Sequence, residues 1–174
     1  MGMINILDPT QANEAIPSPM HNKPTEAQLL DAAKQAVGSL CDISADDVAV
    51  NEHGVIDFAT TDSSAVVYFW VNAGDDVEPA SYRFQATLLR NVTESPLVYE
   101  LINAINVDLV YGQLCFREDE ITLYYRHMVT TSEPDVLAWI LSQLLEEADR
   151  ADDALQSRVG GERWIERASD EIDV

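Results

Sequence analysis

Three histidines, two cysteines and 31 acidic side chains are the groups of this 174-residue chain that could support metal, nucleophilic or acid–base chemistry. Each of those chemistries needs its groups at a particular spacing. His21, His53 and His127 fall in a proline-rich arm, a turn and a strand pattern, and no H-E-x-x-H or comparable pair joins them. Cys115 could be a nucleophile only with a base beside it, the candidate being His127 on a neighbouring strand; otherwise a thiol there is a small core residue. Cys41 and Cys115 share no metal-ligand spacing and read as reduced thiols. Asp42, Asp46, Asp47 and Glu52 superficially follow a calcium loop, but the D-x-[DN]-x-[DN]-G order with Glu at position twelve is missing, which leaves a solvated acidic turn. Asp75-Asp76 and Glu118-Asp119-Glu120 fall at strand connections, where charge keeps sheet edges apart. The glycines are dispersed and form no phosphate-cradling loop. No catalytic residue, metal ligand or cofactor is assigned on these grounds.

Aromatic placement offers a different chemistry, that of an apolar surface gripping another chain. Val66, Tyr68 and Trp70 lie on one alternating set of a strand, and Tyr82 and Phe84 lie on the next strand, so together they could line a peptide groove. Trp139 shares a helix face with Asp135, Ser142, Gln143 and Glu146, opposite the Val136 and Leu137 stripe, and is expected partly exposed at an interface. These six are the candidate partner-binding residues. Tyr124 and Tyr125 occupy both faces of the last strand, and Trp164 in the tail could dock onto the domain or a partner. A rival arrangement is a small-molecule pocket drawing on Tyr124, Asp57 and His127.

The elements that must carry these residues follow from periodicity. Thr25 and Gln28 predict a capping box ahead of a helix striped by Leu29, Leu30, Ala33, Ala36, Val37 and Leu40. Residues 48–50 and 55–58 read as a hairpin around Asn51-Glu52-His53-Gly54. The stretch 64–71 is apolar on both alternating sets, which predicts a central strand buried on both faces. The strand at 81–90 turns Tyr82, Phe84, Ala86 and Leu88 inward and Ser81, Arg83, Gln85 and Thr87 toward water. Ser95-Pro96 opens a second helix striped by Leu97, Val98, Leu101, Ile102 and Ile105. Strands at 110–116 and 121–128 flank Arg117-Glu118-Asp119-Glu120, and Ser132 with Asp135 predicts a capping box before a long helix over 136–155.

The order α-β-β-β(-β)-α-β-β-α predicts an α+β fold: a twisted, mostly antiparallel sheet of five or six strands with three helices. Residues 1–23 are expected to be a flexible N-terminal arm, 24–157 a single domain, and 158–174, after Gly160-Gly161, an acidic mobile tail. The net charge of −21 argues against nucleic acid and anionic lipid as partners, since neutralising phosphates needs a basic surface. No window nears the roughly 20 apolar residues that span a bilayer, and the first 20 residues lack a basic start followed by an apolar run, so a cytoplasmic location is expected.

The run Pro96-Leu97-Val98-Tyr99-Glu100-Leu101-Ile102-Asn103-Ala104-Ile105-Asn106, then Gly112-Gln113-Leu114-Cys115-Phe116 and the strand at 121–127, resembles the YbjN-like family of bacterial sensory transduction regulators. That family shares its fold with class I type III secretion chaperones. The resemblance covers residues 25–154 and rests on structural positions. It implies a chaperone-like α+β domain, frequent homodimerisation, and a non-enzymatic role as a regulator or as a holder of a peptide segment of a protein client. A dimerisation module without a client is the remaining alternative. The chain departs from the family pattern in an extra strand near Val48 and in its long terminal arms.

Overall fold

A computed structural model describes residues 23–60, 63–129 and 133–163. Thr25 accepts from the Gln28 N–H at 3.3 Å while the Gln28 side chain accepts from the Thr25 N–H at 2.9 Å, so both halves of the expected box are made. They start α1 (Glu26–Cys41), whose buried stripe of Leu29, Ala32, Ala33, Ala36 and Val37 is small enough to lie close against its neighbours. Ser44 then caps a single 3-10 turn, Ala45–Asp47, and Val48 is buried behind it. The expected strand at 48–50 does not form. The Asn51 carboxamide accepts from the N–H groups of His53 and Val55 at 2.9 and 3.1 Å, which closes a turn and delays pairing until β1 (Val55–Phe58).

Three further strands and a helix follow before the last hairpin: β2 (Val66–Asn72), β3 (Ser81–Arg90), α2 (Pro96–Asp108), β4 (Gln113–Arg117) and β5 (Glu120–Met128). The sheet order is β1-β2-β3-β5-β4 with every pairing antiparallel. The register sets Trp70 opposite Val55 and Arg83, Phe69 opposite Phe84, Phe84 opposite Tyr125, and Gln113 opposite Tyr124. The fold is α+β, with three helices on a six-stranded sheet.

β4 begins three residues later than the pattern at 110–116 predicts. Glu147, buried on α3 (Pro134–Val159), takes the Val110 and Tyr111 N–H groups on its two carboxylate oxygens at 3.1 and 3.0 Å. Gly112 then turns with φ +85°, and only afterwards can the ladder start. α3 is also longer than expected. Its N-cap is Glu133, which makes no side-chain cap bond, with Pro134 at the first helical position; Ser132, expected to form a box with Asp135, lies outside the described residues.

α1 and α3 pack side by side over β2 and β3, and α2 covers β4. All three lie on one face of the sheet, so β2 alternates between buried and half-buried residues instead of being buried on both sides as its composition predicts. Past α3, where a mobile tail is expected, the short strand β6 (Glu162–Arg163) pairs with Leu89 and Arg90 of β3. The Arg163 guanidinium forms an ion pair with the buried Asp152 carboxylate, Nε to Oδ2 2.8 Å, and the same carboxylate oxygen accepts from the Ser64 hydroxyl at 2.9 Å. The expected arm through residue 22, Trp164 and the rest of the tail lie outside the described residues.

Candidate functional site

Alternation along an antiparallel strand sends successive side chains to opposite faces, and the register decides which sets coincide across strands. Val66, Tyr68 and Trp70 on β2 share the helix-free face with Arg83 and Gln85 on β3, Tyr124 and Arg126 on β5, and Gln113 on β4. Trp70, Asn72, Arg83, Gln85, Gln113, Tyr124 and Arg126 line a trough of about 1010 Å³ on that face, with Gly112 at its end. The ring centroids of Tyr68 and Trp70 are 6.3 Å apart, which extends the aromatic floor toward β1.

Charge is unevenly placed along this floor. Arg83 donates through Nη2 to Glu78 Oε1 at 2.8 Å, Arg126 donates through Nη2 to the same oxygen, and Arg126 Nε reaches the buried Ser81 hydroxyl at 3.1 Å. The Arg126 hydrogen bond, followed by one from the Asn72 side chain, holds the Glu78 carboxyl below the usual glutamate range. Glu78 is delivered by a tight loop between β2 and β3. Gly74 sits there at φ +68° with its N–H on the Asn72 side chain at 2.8 Å, and the Asp75 carboxylate accepts from the N–H groups of Val77 and Glu78, both at 2.7 Å. Those two backbone bonds keep the Asp75 carboxyl low in turn. Toward the opposite end Arg90 pairs with Glu120 at 2.8 Å. Burial pushes the Tyr68 hydroxyl up, Arg90 opposes that shift, and Asp57 and Glu120 add to it.

The six sequence-selected residues are not gathered in one place. Val66, Tyr68 and Trp70 stand half-buried on the open face. Tyr82 and Phe84 belong to the opposite parity and are only 2% and 3% exposed, packed under the helices; Phe84 borders the trough between Arg83 and Gln85 but is not in the set that β2 shares with Arg83. The Tyr82 hydroxyl donates to the Leu29 carbonyl of α1 at 3.2 Å, and burial pushes it up to about 12. Trp139, 54% exposed, lies on the α3 flank, edge-on to Tyr111 at 5.7 Å. Tyr111 meets Tyr125 edge-on, Tyr125 stacks on Phe84, and Phe84 touches Phe69, so rings run without a break from that flank into the core.

The residues of the rival pocket do not converge. Asp57 and Tyr124 are on the open face with β2 and β3 between their strands, whereas His127 belongs to the helix-side set, next to Tyr125, and burial lowers its imidazole below its ordinary value. Cys115, opposite Thr122, lies in the open-face set and so does not meet His127. Among the described residues no three His, Cys, Asp or Glu side chains group as a metal would need, and no helix is long and apolar enough to cross a membrane. Tyr124, singled out from its strand position, does line the trough, and the groups the selection missed are the polar ones: Arg83, Gln85, Gln113 and Arg126. Their signal was parity, since each sits on a strand position opposite an inward apolar neighbour.

The sheet is backed by helices on one side and carries an aromatic and arginine-lined trough on the other. Residues 27–167 match the family TY-Chap1, described as T3SS (YopN, CesT) and YbjN peptide-binding chaperone 1. The chain belongs to that family, which is one of peptide-binding chaperones and not of enzymes. No individual curated protein matches it.

Proposed function

We propose that this chain is a cytoplasmic, non-enzymatic chaperone or regulator that holds a segment of a protein client in the open-face trough, and that it does so as a homodimer. The observation that carries this reading is the trough itself: Trp70 and Tyr124 stand in a concavity of about 1010 Å³ that no element covers among the described residues. That volume is at the top of the range for small-molecule pockets, about 300–1,000 Å³, and it spreads across four strands instead of closing round a small ligand. An extended segment laid there gains from burying apolar surface against the rings, while the guanidinium groups between them donate to its oxygens and the side-chain amides donate or accept. The family's peptide-binding description supports a protein or peptide as occupant. The net charge of −21 supports excluding nucleic acid and anionic membrane.

The test is site-specific photo-crosslinking in the native host. A photoreactive side chain at Gln85 or Tyr124 is expected to form protein adducts, and one at Gln35, exposed on α1, is expected to form none. Adducts at Gln35 with none in the trough would overturn the reading. Light scattering across concentration checks the dimer.

A further inference from the structure

We infer that the client segment this trough selects carries a carboxylate, from Asp or Glu, next to an aromatic or large aliphatic residue. The inference rests on the trough being the client site. The chain has only 10 basic side chains against 31 acidic ones, yet two of its eight arginines, Arg83 and Arg126, line this one concavity, and none of the side chains lining it is acidic. Repulsion from the rest of an acidic protein is screened beyond about 10 Å at ordinary ionic strength, so the groups lining the trough decide what is held there.

Glu78 at the rim already shows how a carboxylate fits. One oxygen, Oε1, receives Nη2 of both arginines. A guanidinium has five N–H donors, and the bonds described for the pair to Glu78 and Ser81 use three of the ten between them. With two cations and one anion the cluster keeps a net positive charge of one, and its remaining donors suit a second carboxylate in the planar, paired geometry that guanidinium groups favour. Trp70 lies directly opposite Arg83 across the β2–β3 ladder, which sets the apolar anchor beside the charged one. A lysine-bearing segment would instead meet two guanidiniums and compete with them for Glu78.

Panning a random peptide display library on the intact chain tests this, with the Arg83→Gln/Arg126→Gln double variant and the Trp70→Ala variant as parallel baits. The expected pool from the unaltered chain is enriched about tenfold in Asp or Glu adjacent to Phe, Tyr, Trp, Leu or Ile, the ratio one charge-assisted contact supports. The double variant should lose the acidic enrichment and keep the aromatic one; Trp70→Ala should lose the aromatic one. Circular dichroism of each bait establishes that it is folded. An aromatic pool with no acidic bias, a lysine-rich pool, or an acidic bias that survives in the double variant overturns the inference while leaving the trough as client site. No enrichment on any folded bait overturns both. If the double variant changes the oligomeric state and no acidic pool appears, the arginines serve a second copy of the chain and the inference falls.

Discussion

One residue apart on β2, Phe69 enters a bed of rings and Trp70 enters a trough of guanidinium and amide groups. On the helix side Phe69, Phe84 and Tyr125 lie with centroids 4.6 and 5.9 Å apart, Phe69 and Phe84 buried and Tyr125 half-buried at the edge of the stack. On the open side Trp70, Tyr68 and Tyr124 are interleaved with Arg83, Gln85 and Arg126. The helix side holds more rings, since Phe58, Tyr82 and Phe116 belong to the same set, and the two faces differ in what stands between them. Aromatic content alone therefore does not distinguish the open face; the unburied polar residues between its rings do.

The contrast is sharpest in stability. Phe84→Ala should cost about 3–5 kcal/mol, as expected for emptying a packed core site, whereas Trp70→Ala should cost about 1 kcal/mol. Urea unfolding measures both, and equal losses would mean that the open face is structural after all. Glu147→Ala comes next, at about 1–3 kcal/mol, because the N–H groups of Val110 and Tyr111 lose their acceptor. Amide exchange should show those two protons losing protection while the β3–β5 ladder keeps its own. Asp152→Ala should cost about 1–2 kcal/mol, the Arg163 side chain being 23% exposed and able to turn to water. Faster tryptic cleavage after Arg163 would report the release of β6 from β3; unchanged cleavage would place the hold on β6 elsewhere.

The smallest effect belongs to the open face and depends on pH. Glu78 has a folded pKa below its ordinary 4.5, so its contribution is present above that value and is lost as pH falls through the depressed one. The difference in unfolding midpoint between the chain and Glu78→Gln should thus be visible at pH 6 and close under acid conditions. A gap that widened on acidification would contradict the Arg83–Glu78–Arg126 arrangement.

Much of this was legible beforehand. The Thr25–Gln28 box, the Ser95-Pro96 helix start and the alternation of β3 from Tyr82 to Ala86 are local patterns whose physics acts within a few residues, and each appears where expected, although Ser81 and Thr87, expected toward water, are buried and a bulge breaks the alternation after Thr87. The misplacements came from long-range partners. Glu147 is 36 residues beyond Tyr111 and removes two N–H groups from the strand at 110–116. Arg163 reaches back to Asp152 and brings β6 to the sheet at a point where two glycines had argued for an end to order. The grouping of Tyr82 and Phe84 with Tyr68 and Trp70 failed for a subtler reason: alternation assigns parity within a strand, but only the register, Phe69 opposite Phe84, relates one strand's parity to the next.

Gly74 holds no charge, yet the electrical character of the whole concavity depends on its having nothing beyond Cα. A Cβ there would stand 2.4 Å from the Glu78 carbonyl oxygen and 2.5 Å from the Ala80 nitrogen, so even a methyl group would force the loop outward and draw the carboxylate off its two guanidiniums. The absence of one carbon atom thereby keeps the trough at a single net positive charge instead of two.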